Sequence, residues 1–266
     1  MDAETWLVDG PKVIDVAEVR RLKVALLGGQ VDVVGHDEPG ARVEVHSVSG
    51  RELKVRYEDG VLEIDHPQVR WDDWLETFRS FRASATADVS VMVPRAVALK
   101  LGVVGASVLV TGLTTDASLS SVSGPLVVDE LRGDLQGNTV SGEITVRGHA
   151  GRLTTKTVSG DVAVAGDIPA FTADSVSGEV LADLGERAES ARVNTVSGAV
   201  TLRMPAGVPT TYAINSAGGR VQVADAAISG FRGQYTAQTG GSGDRRASVK
   251  INTVGGAVNV LHGVRA

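Results

Sequence analysis

Five copies of the tripeptide Val-Ser-Gly stand in rank through the middle of the chain, at 122–124, 140–142, 158–160, 176–178 and 196–198, with their glycines 18, 18, 18 and 20 residues apart. A fixed period of that length belongs to repeat architectures in which one repeat cannot bury its apolar face alone and must stack on its neighbours. Aligning on the glycines exposes further columns. Two residues after each stands Leu126, Ile144, Val162, Val180 or Val200, and four after it Val128, Val146, Val164, Ala182 or Leu202. Seven before it stands Ala117, Leu135, Leu153, Phe171 or Ala191. Apolar residues at alternate positions have the period of a half-buried strand. Each repeat therefore reads as a strand entering the Val-Ser-Gly corner and a second strand leaving it.

A sharp corner often demands a positive φ, which glycine alone adopts without strain. That makes Gly124, Gly142, Gly160, Gly178 and Gly198 structural corners. The small serine beside each lets successive corners stack at the roughly 4.8 Å strand spacing. Three residues before each glycine stands a hydroxyl, on Ser121, Thr139, Thr157, Ser175 or Thr195, placed to hydrogen-bond along the stack. The flat Thr-x-Thr face of an ice-binding ladder is missing, which leaves this column a structural one. Weaker copies extend the array. Gly105 lies 19 residues before Gly124 and Gly50 lies 74 before it, while Asn215 to Gly219 and Asn252 to Gly256 echo Asn194 to Gly198. Gly219 and Gly256 are 37 residues apart, about two repeats, and the polar stretch near 238–246 reads as a surface loop between them. The expected corners are thus Gly50, Gly105, Gly219 and Gly256 with the five above.

Aromatic residues make up 4% of the chain against 42% hydrophobic residues, so the core has to be aliphatic, in thin layers where a large ring would need a gap. The 32 glycines in 266 residues exceed the average of about 7%. With only 8 prolines, they point to tight turns rather than a linker. There is no cysteine, hence no disulfide framework and no Cys-based metal site. A formal net charge of −6 argues against sequence-independent nucleic-acid binding, which needs clustered Lys and Arg. No apolar run approaches the ~18 residues of a membrane-spanning helix. Residues 1–16 show neither the basic nor the apolar region of a signal peptide, so the expected location is cytoplasmic.

Residues 67–86 break the β pattern. Trp71, Trp74, Leu75, Phe78 and Phe81 fall near helical spacing, with Asp72, Asp73 and Glu76 set against Arg79 and Arg82. This reads as a helical or loop insert that covers a sheet edge or docks a partner. It lacks the cationic excess that membrane adsorption requires.

The run Thr-Val-Ser-Gly-Asp-Val-Ala-Val at 157–164, together with the segment Val89 to Val110 and its Val93-Pro94 step, resembles the DUF4097 β-strand-repeat family of bacteria, also labelled as adhesins. The resemblance spans roughly residues 20–262. It implies a β-solenoid of largely unassigned role and supplies no active-site residues. It also implies relatives attached to or exported through the membrane, where this chain reads as cytoplasmic.

Signatures of catalysis are missing: there is no Gly-x-Ser-x-Gly elbow, phosphate loop or paired zinc motif. His36, His46, His66, His149 and His262 are scattered without metal-ligand spacing and read as surface residues. Glu143, Asp161 and Glu179 each follow a corner glycine and should stack on adjacent repeats. Like charges so placed raise each other's pKa or attract a cation such as calcium; otherwise they keep the corner solvated. The left-handed hexapeptide acyltransferases also use eighteen residues per turn. Their third step would fall here on Arg152, Ala170 and Ala188, the spacing grows after Gly178, and no histidine recurs.

The sequence thus specifies an all-β, single-domain β-solenoid, parallel β-helix-like, with irregular repeats over 1–66, the insert over 67–86 and regular repeats over 87–266. No catalytic, cofactor-binding or metal-ligating residue is assigned. The expected role is a non-enzymatic binding or scaffold module with a protein partner and no nucleic acid, its docking candidates being the five apolar residues of the insert. A bactofilin-like polymer formed through exposed strand edges, or a surface adhesin if exported, is the alternative.

Overall fold

The computed structural model describes residues 3–66, 85–223, 226–229, 233–239 and 245–263. Trp71, Trp74, Leu75, Phe78 and Phe81, and with them the insert from 67 to 84, lie outside the described residues. Thr86 already opens a strand. The described chain is all-β, without a helix. It forms two compact units, Met1–Gly133 and Asp134–Ala266.

The first unit contains β1 (Glu4–Val8), β2 (Lys12–Val16), β3 (Arg21–Leu26), β4 (Gly29–His36), β5 (Ala41–Ser49) and β6 (Leu53–Glu58). It continues with β7 (Val61–Asp65), β8 (Thr86–Pro94), β9 (Ala98–Val103), β10 (Ser107–Thr111), β11 (Ala117–Ser121) and β12 (Leu126–Asp129). They make two sheets, ordered β1-β6-β7-β3-β9-β11 and β2-β5-β8-β4-β10-β12. From β7 and β8 onward every neighbour is parallel. The alternating valines and leucines all turn to the same side: Leu22, Val24, Val31, Val33, Leu99, Leu101, Val108 and Val110 are buried.

Before that point the pairing is antiparallel. β5 runs against β8 and β2, and β6 against β7 and β1. Asp59 (φ 50°) and Gly60 (φ 77°) join β6 to β7, the two-residue turn with both φ values positive that matches strand twist in a hairpin. Gly50 (φ 86°) follows β5, a strand paired antiparallel to both its neighbours. The sequence spacing that placed it four periods before Gly124 does not describe this region. The corner beside Gly105 stacks instead on residues 27–28, with Gly105 N–H donating to Leu27 O at 2.8 Å.

The second unit contains β13 (Leu135–Thr139), β14 (Ile144–Ala150), β15 (Leu153–Thr157), β16 (Val162–Asp167), β17 (Ala170–Ser175), β18 (Val180–Asp183) and β19 (Ser190–Thr195). Then come β20 (Val200–Met204), β21 (Thr210–Ser216), β22 (Arg220–Val223), β23 (Ala226–Ser229), β24 (Gly233–Thr239), β25 (Ala247–Thr253) and β26 (Val258–His262). Odd and even strands up to β20 alternate between two sheets, each repeat giving one strand to either. The eighteen-residue period becomes a strict parallel register, Leu135↔Leu153↔Phe171 in one sheet and Ile144↔Val162↔Val180 in the other. The sheets pack closely: a Cβ on Gly137 of β13 would lie 3.4 Å from Ile144 Cδ1 on β14.

In the second unit spatial order departs from chain order where β25 and β26 enter. β25 pairs with both β19 and β21, and β26 with both β20 and β22. The chain leaves a strand-wide gap after β20, lays down β21 to β24 beyond it, and returns to fill the gap. The Gly256 corner consequently sits next to Gly198, and Gly219 beyond it, the reverse of the order that a 37-residue spacing suggests. The rings of Phe171 and Tyr212 enter the core and are fully buried. Phe171 is tolerated because its register partner on β19 is the small Ala191.

Candidate functional site

The corners are built by three devices. Gly160, Gly178, Gly198 and Gly256 lack positive φ; a Cβ on each would stand 2.0 Å from the carbonyl oxygen of the corresponding glycine one strand back. Gly124 meets Ala106 O at 1.8 Å in the same way. Glycine is thus required here by close stacking and not by backbone conformation. Among the expected corners, Gly219 (φ 129°) and Gly50 are the two with positive φ.

Second, the serine N–H and Oγ both donate to the valine carbonyl of the preceding corner. The pairs are Ser159 to Val140, Ser177 to Val158 and Ser197 to Val176, at 2.8–2.9 Å for N–H and 3.3 Å for Oγ. Third, the hydroxyl three residues before the glycine closes its own corner. Thr157 Oγ1 donates to Gly160 O at 2.8 Å, while Thr139, Thr195 and Thr253 Oγ1 accept from the N–H of Gly142, Gly198 and Gly256 at 2.9, 3.1 and 3.0 Å. The hydroxyl column expected to bond along the stack bonds within each turn, because it points inward and is buried.

With serine and threonine engaged, the valine turns outward. Val158, Val176, Val196 and Val254 are about half exposed, at 47, 46, 47 and 56%. They follow one another across β15, β17, β19 and β25 as an apolar ridge. Beside it on the outer face runs a file of amides. Asn215 Nδ2 donates to Asn252 Oδ1, Asn252 Nδ2 to Asn194 Oδ1, and Asn194 Nδ2 to Asp174 Oδ1, each at 2.7 Å. All three bonds run the same way and end on a carboxylate, so each polarises the next. Where the ridge gives way to Ala217, an open groove of about 660 Å³ forms. Its lining includes Asp174, Asn194, Asn252 and Asn215, with Val196 and Val254. This file was present in the sequence as the position four before Gly178, Gly198, Gly219 and Gly256, but its polar members carry no hydrophobic period to flag them.

The carboxylates after the corners do other work. Asp161 Oδ1 accepts the Glu179 N–H at 2.8 Å and Glu143 Oε1 accepts the Thr145 hydroxyl at 2.9 Å. Among the described residues no group of three or more His, Asp or Glu is placed to hold a metal ion. Of the histidines read as surface residues, His66 and His149 are buried, at 0 and 1% exposure. His262 Nε2 meets the buried Tyr212 hydroxyl at 2.6 Å; burial pushes the phenol pKa up, against hydrogen bonds from Thr239 and Thr210. No described helix is long and apolar enough to cross a membrane.

Fold and face together define an all-β repeat protein with two mostly parallel sheets and a regular outer surface. The sequence profile of the Toastrack DUF4097 family matches residues 28–261, and the chain belongs to that family. Among solved structures it is similar to a "putative lipid binding protein" of Parabacteroides distasonis ATCC 8503, at 16% identity and a TM-score of 0.54 over 95% of this chain and 97% of that one. A "putative adhesin" of the same organism matches at 14% identity and a TM-score of 0.43, over 98% of this chain and 97% of the other. The likeness to the first is one of fold. No curated protein matches the chain in sequence.

Proposed function

We propose that this protein is a non-enzymatic β-solenoid binding module whose docking surface is the valine ridge and amide file of its second unit. The constant register of strand, corner and strand supports the solenoid reading, since that is how stacked repeats propagate. The observation that carries the binding reading is the ridge itself. Four valines are held half exposed side by side, and such contiguous apolar surface marks interaction sites. Asn252 and Asn194 each have one donor and one acceptor committed within the file and Asn215 has one donor committed, so each keeps a second N–H and at least one lone pair for a partner. A protein segment lying along the groove would meet apolar and hydrogen-bonding positions once per strand.

The test is a comparison of retained proteins on immobilised wild type and on a Val176→Lys/Val196→Lys variant, both offered the same bacterial extract. The reading expects a discrete protein held by wild type and depleted about tenfold or more on the variant, which corresponds to at least ~1.4 kcal/mol of binding, at unchanged melting temperature. Equal retention by the two would remove the ridge from the docking surface. One observation favours the self-associating alternative: β24, at the end of its sheet, carries no charged residue, and charge is the usual protection of an edge strand. Growth of scattering mass with concentration would favour that reading.

A further inference from the structure

His66 closes β7 in the first unit and is 0% exposed. Its N–H donates to Ala25 O at 3.1 Å, fastening the end of β7 to β3. Its side chain fastens the same place a second time: the Leu27 N–H donates to His66 Nδ1 at 3.4 Å. A backbone N–H can only donate, so Nδ1 carries no proton and the neutral ring holds its hydrogen on Nε2. Nε2 is buried without a hydrogen-bond partner among the described residues. A buried polar atom left in that state costs free energy and calls for an explanation.

We propose that His66 is a proton-sensitive latch: neutral, it holds the end of β7 against residues 25–27, and protonated, it lets that end go. Protonation places a hydrogen on Nδ1, which then faces the Leu27 N–H donor to donor. It also puts a charge in a buried site where Nε2 meets no acceptor among the described residues, and ionic groups are poorly tolerated there. The charged groups around it do not compensate. Arg51, after β5, adds repulsion. Asp65, the adjacent carboxyl, lies between Lys54 and Arg56 of β6 and Glu63 of its own strand, and Glu63 is taken by Lys23 of β3 at 2.6 Å. Burial pushes the Asp65 carboxyl up, against the pull of Lys54. Its protonation therefore favours the folded strand as pH falls, the opposite sign from the imidazole. In agreement with the geometry, burial and Arg51 hold the His66 pKa below its ordinary value.

Two measurements on the full chain test the latch. Histidine-selective NMR titration should show one of the five imidazoles, assigned through His66→Leu, as the Nε2-H tautomer and still neutral when the exposed rings have titrated. Hydrogen exchange at pH 7.5 and 5.0, corrected for its intrinsic pH dependence, should show protection of 22–28 and 61–66 falling about tenfold for each pH unit in which the unfolded imidazole is charged and the folded one is not. The same segments in His66→Leu should keep their protection. A His66 that titrates at or above about 6.5, the value of a free imidazole, overturns the proposal. So does protection at pH 5.0 equal to that at pH 7.5 in wild type. If His66→Leu fails to fold, the wild-type measurements decide alone, with assignment through His66→Gln.

Discussion

Gly160 and Gly105 occupy equivalent corners in sequence but not in space. A methyl on Gly160 would reach 2.0 Å from Gly142 O, a backbone atom that cannot swing away, whereas on Gly105 the nearest atoms are Leu27 O and Ser123 Oγ at 3.6 Å. Gly160→Ala is accordingly expected to lose about 1–3 kcal/mol, the range of an overpacked core. Gly105→Ala should stay within about 0.5 kcal/mol of wild type. Chemical denaturation of the two variants checks the contrast, and equal losses would disprove the stacking argument. Thr155 offers the converse case. It is buried in the inward column between Gly137 and Ala173, and its Oγ1 finds no partner among the described residues. Thr155→Val keeps the shape and removes the stranded hydroxyl, so a gain of about 1–2 kcal/mol is expected. A loss in melting temperature would mean that the hydroxyl is satisfied. At this scale the sequence showed which positions are glycine but not why: a Gly that avoids a neighbour's carbonyl and a Gly with positive φ are spelled the same.

At the scale of the element, the apolar columns were legible because alternation is a property of one strand. The residues predicted inward, Leu126 through Val200 and Val128 through Leu202, are the buried ones. The polar file and the hairpin were not read out. Asn194, Asn252 and Asn215 acquire their meaning from neighbours 58 and 37 residues away, and the Asp59-Gly60 turn stands outside the Val-Ser-Gly period. The pairing of β7 on β3 carries the pH prediction. A folded imidazole pKa below the unfolded value means that the unfolded chain binds more protons in between, so stability falls as pH falls. His66 therefore contributes stability that is whole above its unfolded value of 6.5 and is lost downward from there. The melting temperature of wild type should drop between pH 7 and 5 by more than that of His66→Leu. A wild-type midpoint no more sensitive than the variant's would count against the latch.

For the whole molecule, the period of eighteen residues with alternating valines led to an all-β chain of two mostly parallel sheets, because in-register repeats of that length pair strand on strand. What it could not show was that strands are laid down out of order. Sequence spacing places repeats one after another, yet β25 and β26 enter between partners that precede them in the chain. The ridge and the amide file both depend on that insertion, since Val254 and Asn252 come from β25 and its corner. The absence of cysteine from the natural sequence makes the arrangement directly measurable. Neighbouring strands bring Cα atoms to about 4.8 Å, within the range of a disulfide, whereas strands two apart exceed the ~7 Å limit. Under mild oxidation Val196→Cys/Val254→Cys should cross-link within the folded monomer, and Val196→Cys/Ala217→Cys should stay reduced. Cross-linking of the second pair with the first left open would contradict the insertion and, with it, the docking face.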